Sequence, residues 1–307
     1  MSILRYNTVD VKRRETALSH GEETMYRIVR RKALNPTVTQ MEIEAPLTAK
    51  KAKPGQFVIL RVDEDGERIP LTVAGTDREE GTVKIIFQIV GATTELLNMK
   101  AEGECISDLV GPLGVPTHTE GINKVCIVGG GVGCAIAMPV AQEFRRLGAE
   151  VTSIIGFRSK DLLILEDEFS ACSDRLFVMT DDGSYGRHGN VTLPLKELLE
   201  AGERFDMIIA IGPLVMMKFV TLTAKPYEVP VTVSMNPIMI DGTGMCGGCR
   251  LTLIKDGGRV TKFACVDGPD FNGYEVDFDE AMRRGRTYHY FERRAHEHVC
   301  NLMKGAE

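Results

Sequence analysis

The sequence predicts an α/β protein with an all-β module ahead of it: a small antiparallel β-barrel, a doubly wound parallel sheet, and a short C-terminal segment built around cysteines. Three observations carry this. Short β-type runs parted by turn residues fill the chain from Tyr26 to about His118. Apolar strand runs alternating with helical or loop segments follow from Lys124 to about residue 235. Three cysteines, Cys246, Cys249 and Cys265, then gather in a glycine-rich stretch.

At 307 residues the chain suits two or three domains, each able to bury its own core. It is 43% hydrophobic with a net charge of −6, so it presents no field that would attract nucleic acid or an anionic membrane, and neither is expected as a partner. No apolar run approaches membrane-spanning length. The opening "MSILRYNTVDVKRRETALSHGEET" carries charges where a secretion signal needs an apolar stretch. A cytoplasmic location is expected.

Taken in order, residues 1–24 are an N-terminal extension without a catalytic role. In 25–118, "YRIVRRKAL", "GQFVILRV" and "TVKIIFQIV" read as strands, separated by turns such as "KPG" and "EDGE", and form the barrel. In 119–235, "KVCIVGG" is a buried-strand run that leads through glycines into "CAIAMPVAQEFRRLG", apolar at helical spacing and ending at Gly148. "EVTSIIGF", "RLFVMT", "FDMIIAIG" and "VPVTVSM" continue the alternation of a parallel sheet. Segment 236–275, with one short strand "CRLTLI", looks held together by its ligands. Residues 276–307 form a charged helical tail.

Five of the eight cysteines, Cys105, Cys126, Cys134, Cys172 and Cys300, are scattered, so a disulfide framework is not expected. The grouped three ask for a metal or cluster. Plant-type [2Fe-2S] sites use Cys-x4-Cys-x2-Cys and a distant Cys. Asp241-x4-Cys246-x2-Cys249…Cys265 reproduces that spacing with a carboxylate in the first place. Oxygen can ligate ferric iron, though it is harder than thiolate. Gly242, Gly244, Gly247 and Gly248 let the loop turn and aim N–H groups at sulfur. Zinc held by the same four residues fits the spacing too. So does a site in which Asp241 is a turn residue and Cys300 completes the ligand set.

"IVGGGVGCAIA" places Gly129, Gly130, Gly131 and Gly133 between a strand and a helix, where backbone N–H groups and the helix dipole favour a pyrophosphate. Read as Gly-x-Gly-x-x-Gly from Gly129, the last position is Cys134, an imperfect match that a tight turn alone could also explain. The next strand ends in "IIGFRSK", with no ribose-binding acid and with Arg158 in reach of a 2′-phosphate. Another strand ends in Gly212-Pro213, followed by Met216. In the barrel, "RIPLT" offers a guanidinium, Arg68, and a hydroxyl, Thr72, at fixed spacing, although an exposed Arg beside a strand would look the same.

The order of these motifs, Arg-x-x-x-Thr, "FQIVG", "GPLG", "GGGVG", "IGP..MM" and a terminal cysteine group, resembles the ferredoxin–NADP reductase superfamily, and specifically its branch with a C-terminal [2Fe-2S] cluster. The resemblance covers about residues 25–280. It implies a flavin-binding barrel in which Arg68, Pro70, Leu71 and Thr72 hold FAD, Arg68 at the pyrophosphate and Thr72 near the reactive flavin nitrogen. Phe87, Gln88, Val90, Gly91 and Thr94, with Gly111, Pro112 and Gly114, would line the same site. Gly129 to Gly133, Arg158, Asp181, Asp182, Gly183, Gly212, Pro213 and Met216 would bind NAD(H) or NADP(H). The family's usual Cys-Gly-Pro is Ile211-Gly212-Pro213 here, so no acid–base residue is assigned.

The branch includes electron-transfer subunits of dihydroorotate dehydrogenase, which typically have four cluster cysteines. It also includes small subunits of NADH-dependent reduced ferredoxin:NADP oxidoreductases, in which an Asp holds the first place, as Asp241 does here. The resemblance therefore implies electron flow between NAD(P)H, FAD and a [2Fe-2S] cluster. A larger iron–sulfur flavoprotein would be the heterodimeric partner, with ferredoxin served through the complex by flavin-based electron bifurcation. Two alternatives stay open: a reductase subunit for another dehydrogenase or a hydrogenase, and a zinc-stapled nucleotide-binding regulatory subunit. In the tail, His296, His298 and Cys300 step by two and share no helical face, so with His289 they are expected as ordinary surface residues. The pairs Arg283-Arg284 and Arg293-Arg294 are expected on a solvated face.

Overall fold

A computed structural model describes residues 26–287. The N-terminal extension, and in the tail His289, His296, His298, Cys300 and the pair Arg293-Arg294, lie outside them. The first unit is one antiparallel sheet of seven strands with two helices: β1 (Tyr26–Asn35), β2 (Val38–Glu44), α1 (Pro46–Lys51), β3 (Phe57–Arg61), β4 (Arg68–Asp77), β5 (Thr82–Gln88), α2 (Ala92–Met99), β6 (Cys105–Ile106) and β7 (Asp108–Leu113). The strands run in the order β6-β1-β2-β5-β4-β3-β7 and curl around an apolar core of Ile28, Met41, Ile43, Leu60, Ile85 and Phe87. In β2 the inward residues Met41 and Ile43 alternate with Gln40 and Glu42, the period-two signature of a sheet with one wet face.

The second unit is the doubly wound sheet: β8 (Lys124–Gly130), α3 (Gly133–Arg146), β9 (Glu150–Phe157), α4 (Glu166–Cys172), β10 (Arg175–Thr180), β11 (Arg187–His188), α5 (Thr192–Glu200), β12 (Met207–Ile211), α6 (Leu214–Ala224) and β13 (Val231–Ser234). These strands pair in parallel. Both faces are covered, one by α3 and α4 and the other by α5 and α6, so β8 is buried from Val125 through Gly130. As the sequence predicts, α3 gives way at Gly148, whose φ of +86° suits the αL position after a helix.

The cysteine-bearing segment adds a hairpin, β14 (Arg250–Lys255) and β15 (Gly258–Phe263), one helical turn, α7 (Ala264–Asp267), the strand β16 (Asp270–Asn272) and α8 (Phe278–Gly285). β16 returns to the second sheet and pairs antiparallel with β13, completing the order β11-β10-β9-β8-β12-β13-β16. The fold is the expected one: an antiparallel half-barrel, a parallel sheet and a small cysteine domain. Among the described residues no helix is long and apolar enough to cross a membrane.

Candidate functional site

Three neighbouring places collect the residues singled out in the sequence. In the barrel, Arg68 opens β4 exposed and pairs with Asp108 at 3.3 Å, an ion pair shared with Arg61 at 3.1 Å. Its neighbour Glu67 accepts a hydrogen bond from Thr93 Oγ1 at 3.0 Å, which brings the start of β4 beside the N-terminus of α2. Arg68 thus lies one residue along the chain from a contact with a helix start, and a guanidinium and a helix start are the two features that suit a pyrophosphate. Thr94 folds the turn into α2: its hydroxyl accepts from the N–H groups of Val90 and Gly91, each at 3.0 Å. Pro70, Leu71 and Thr72 are half-buried, while Gln88 and Val90 are exposed. Phe87 differs from the rest, since its ring is 1% exposed and belongs to the barrel core.

Gly111 and Gly114 are glycines for packing reasons. A Cβ at Gly111 would stand 2.7 Å from Val58 Cγ1. At Gly114, where φ is +77°, it would meet Phe57 at 2.8 Å and the Gly268 carbonyl oxygen at 3.0 Å. The end of β7, which holds Pro112, therefore binds the barrel to the cysteine segment.

At the end of β8, Gly131 takes φ +55° and its missing side chain faces open space, a cradle that a Cβ would fill. Its N–H is spent on the Gly156 carbonyl at 2.8 Å. The neighbouring glycines are there for contact: a Cβ on Gly129 would meet Cys134 Sγ at 2.9 Å, and one on Gly130 would meet Met216 Sδ at 2.3 Å. Gly212 lies against Met216 and Gly130 in turn, so the ends of β8 and β12 touch. Pro213 precedes α6 and is exposed. Arg158, at the end of β9, is exposed and makes no ion pair among the described residues. After β10, Asp181 is exposed, and Asp182 Oδ1 accepts from Ser184 N at 2.9 Å and Ser184 Oγ at 2.6 Å. Those two bonds hold the Asp182 carboxyl below its ordinary pKa, and Gly183 turns the loop at φ +73°.

In the cysteine segment the four candidate ligands fall into two pairs. The sulfurs of Cys249 and Cys265 are buried and 3.2 Å apart. Burial, and then the neighbouring Cys249, push the Cys265 thiol up to about 12. Cys246 is exposed and tied to Asp241, whose Oδ2 accepts from Cys246 N at 3.0 Å while Oδ1 accepts from Thr243 N at 2.8 Å. The Thr243 bond leads in keeping the Asp241 carboxylate below its ordinary pKa. Asp241 is thus a turn residue and an anion at once, and its oxygens keep lone pairs for a metal. Gly248 N lies 3.4 Å from Cys246 Sγ and Cys265 N lies 3.5 Å from Cys249 Sγ, bonds that favour thiolate.

Thiolates sharing one tetrahedral metal at about 2.3 Å stand about 3.8 Å apart, so Cys249 and Cys265 need only part slightly to share an iron. Asp241 and Cys246 would supply the other pair. Among the described residues no three His, Cys, Asp or Glu side chains converge as a single-metal site needs. Two pairs of donors are what the two irons of a [2Fe-2S] cluster require.

The cysteine segment also seats on the barrel. A Cβ on Gly242, where φ is +75°, would stand 2.6 Å from Leu113 and 3.0 Å from Ile59. Phe57, Ile59, Leu113, Cys249 and Cys265 share one apolar cluster. Phe57 is the register partner of Thr72. An apolar contact zone therefore links the end of the barrel to the segment that carries the two buried sulfurs. Arg284, expected on a solvated face, is instead half-buried and donates from Nη2 to the Gly248 carbonyl at 3.3 Å. No sequence signal marked it beyond its charge.

Residues 236–277 match the iron-sulfur cluster binding domain of dihydroorotate dehydrogenase B. The chain is 47% identical over 287 residues to the dihydroorotate dehydrogenase B (NAD(+)), electron transfer subunit homolog of Thermotoga maritima, covering 94% of this chain and 100% of the relative. To the dihydroorotate dehydrogenase B (NAD(+)), electron transfer subunit of Streptococcus pneumoniae it is 31% identical over 254 residues, or 81% of this chain and 96% of the relative. Among solved structures, a chain from work on flavin-based electron bifurcation in the NADH-dependent reduced ferredoxin-NADP oxidoreductase superposes with a TM-score of 0.83 at 46% identity, covering 91% of this chain and 99% of that one.

Proposed function

The chain belongs to the family of dihydroorotate dehydrogenase B electron transfer subunits and their homologues, and from that premise we propose that it is the relay subunit of an electron-bifurcating NADH-dependent ferredoxin:NADP oxidoreductase. At the coarser level it is an oxidoreductase subunit that uses FAD, a [2Fe-2S] cluster and a nicotinamide nucleotide and passes electrons to a larger subunit. When bound, the flavin exchanges hydride for single electrons and the cluster carries them one at a time.

The chain's own residues bind, orient and exclude water. Arg68 and the start of α2 would hold the FAD pyrophosphate, and Thr72 would lie beside the flavin. Gly131 and the start of α3 would receive the pyrophosphate of the nicotinamide nucleotide, with Asp181 to Gly183 and Gly212-Pro213 shaping the pocket. Asp241, Cys246, Cys249 and Cys265 would ligate the cluster. The observation that carries this reading is the seat of the cysteine segment on the barrel, where Phe57, Ile59, Leu113, Cys249 and Cys265 share one apolar cluster and Gly242 packs on Leu113 and Ile59. The loop of the exposed Cys246 carries Met245, 88% exposed, with Ile240 beside Gly248 and Val266 beside Gly244 also exposed. An apolar rim of that kind suits a protein partner drawing electrons from the cluster's open edge.

The test is anaerobic reduction by NADH of the purified chain, followed by EPR. Flavin bleaching with about one [2Fe-2S] spin per chain is the expected result. Folded protein that carries zinc and gives no spin would overturn the relay. Delivery to a dihydroorotate dehydrogenase catalytic subunit is the second reading, favoured by the Streptococcus pneumoniae relative and opposed by Asp241 in the first ligand place. Which subunit co-purifies separates them.

Two results follow for the binding sites. Replacing Arg68 by Ala removes a charged donor, so FAD should bind about 10- to 100-fold more weakly, measured by flavin fluorescence on dilution. Unchanged flavin content would remove Arg68 from the site. On the bifurcating reading this chain takes NAD(H), so NADH should bind more tightly than NADPH, and Arg158→Ala should alter NADH affinity by less than about twofold. Tighter NADPH, weakened about tenfold by the same change, would assign the chain to NADP(H) instead.

A further inference from the structure

We propose that Arg284 is a positioning residue for the iron–sulfur site, holding its loop by one hydrogen bond and raising the cluster's reduction potential by its charge. The inference rests on the electron-transfer reading above. It starts from the way α8 is fixed. Asp277 caps the helix, accepting from Glu280 N at 2.9 Å. Arg259 of β15 pairs with Asp277 at 3.3 Å and with Glu280, and Lys218 of α6 pairs with Asp279 at 2.7 Å. Phe278 is buried, and Ala281 and Met282 pack on the apolar cluster that contains Cys249 and Cys265.

A helix anchored from three sides delivers its last turn to one place. There Arg284 Nη2 reaches the carbonyl of Gly248, the second of the two residues between the proposed ligands Cys246 and Cys249. The acids of α8 are already engaged, and no carboxylate among the described residues lies within ion-pair distance of Arg284. Among the described residues its charge is therefore not neutralised by a neighbour.

Two physical consequences meet at this contact. In a trans peptide the Cys249 N–H points opposite to the Gly248 carbonyl, so pinning the oxygen also fixes the amide of a ligand residue. Reduction adds one electron to the cluster, supplied by the reduced flavin, and no bond forms or breaks. A fixed positive charge in a half-buried setting stabilises that added negative charge, because the field is weakly screened there. Net charge and hydrogen bonding around the sulfurs are what set such potentials.

The experiment is an EPR-monitored redox titration of the full chain with its flavin, beside iron and acid-labile sulfide content, for Arg284→Lys, Arg284→Gln and Arg284→Ala. Lys keeps the charge and should hold the reduced-to-oxidised ratio at a fixed potential within about twofold of the unaltered chain. Gln keeps a donor without the charge and should lower that ratio about tenfold, a shift of about 59 mV to the negative side for one electron, with cluster content retained. Ala should shift the potential at least as far as Gln. A Gln variant with the unaltered potential, or one that simply loses iron and sulfide, overturns the proposal, whatever Ala does. If the unaltered chain itself shows no cluster spin, it is the electron-transfer reading that fails.

Discussion

Replacing Cys265 by alanine should cost the protein its iron–sulfur cluster and at least about a hundredfold of its electron delivery to a partner subunit, while hydride uptake from the nicotinamide nucleotide continues. The reasoning is geometric. Cys265 and Cys249 form the buried pair of donors, and their sulfurs are 3.2 Å apart. With one removed, the buried side of the site would offer a single thiolate, and the other pair, Asp241 with the exposed Cys246, would have to hold the group alone. The chain should stay folded, because α7 is also tied by Lys262 to Asp267 at 2.8 Å and by Phe263 N to Asp267 at 2.8 Å. Iron content, EPR and reduction of an artificial two-electron acceptor measure the three consequences separately. A variant that still carries about one spin per chain would show that Cys265 is not a ligand.

The second large effect is expected at Gly133. A Cβ there would stand 2.5 Å from the Ile211 carbonyl oxygen and 2.7 Å from Gly212 Cα. Both obstacles are backbone, so no rotamer change relieves them, and α3 must shift away from the ends of β8 and β12. Gly133→Ala should therefore cost about 3 kcal/mol of stability, read by denaturant unfolding, and weaken nucleotide binding by more than about tenfold, read by calorimetry. For the stability measurement Gly130→Ala makes the control, since its close contact at 2.3 Å is the Met216 sulfur of a flexible side chain that can turn aside. Equal effects at both positions would mean that the helix start is not the sensitive feature.

Much of this architecture was legible because the relevant signals are local. The apolar run "KVCIVGG" followed by a helical period becomes β8 and α3, and Gly148 ends that helix. The spacing from Asp241 to Cys265 brings four donors into one loop and the turn beneath it. Other features were hidden for physical reasons. β4 contains Pro70 and Gly75, residues that ordinarily argue against an interior strand, yet it lies between β3 and β5 with a register shift after Val73. Phe87 sits in a motif that suggests a cofactor wall, but its alternation along β5 turns it into the core. Arg284 reads as one charge among many, because its contact with Gly248 spans 36 positions and depends on how α8 docks. β16 is three residues long, too short for any period to show.

That short strand has a consequence for anyone dividing the molecule. Since Asp270–Asn272 completes the sheet that begins at Lys124, the nucleotide-binding part is finished only after the cysteine loop has been synthesised. Cutting the chain after β13 to obtain a cluster-free diaphorase would strip off the outermost strand and leave β13 as a naked edge, ready to pair with its own kind. The practical seam runs through space, along the outer side of β16, and no single cleavage point in the sequence follows it.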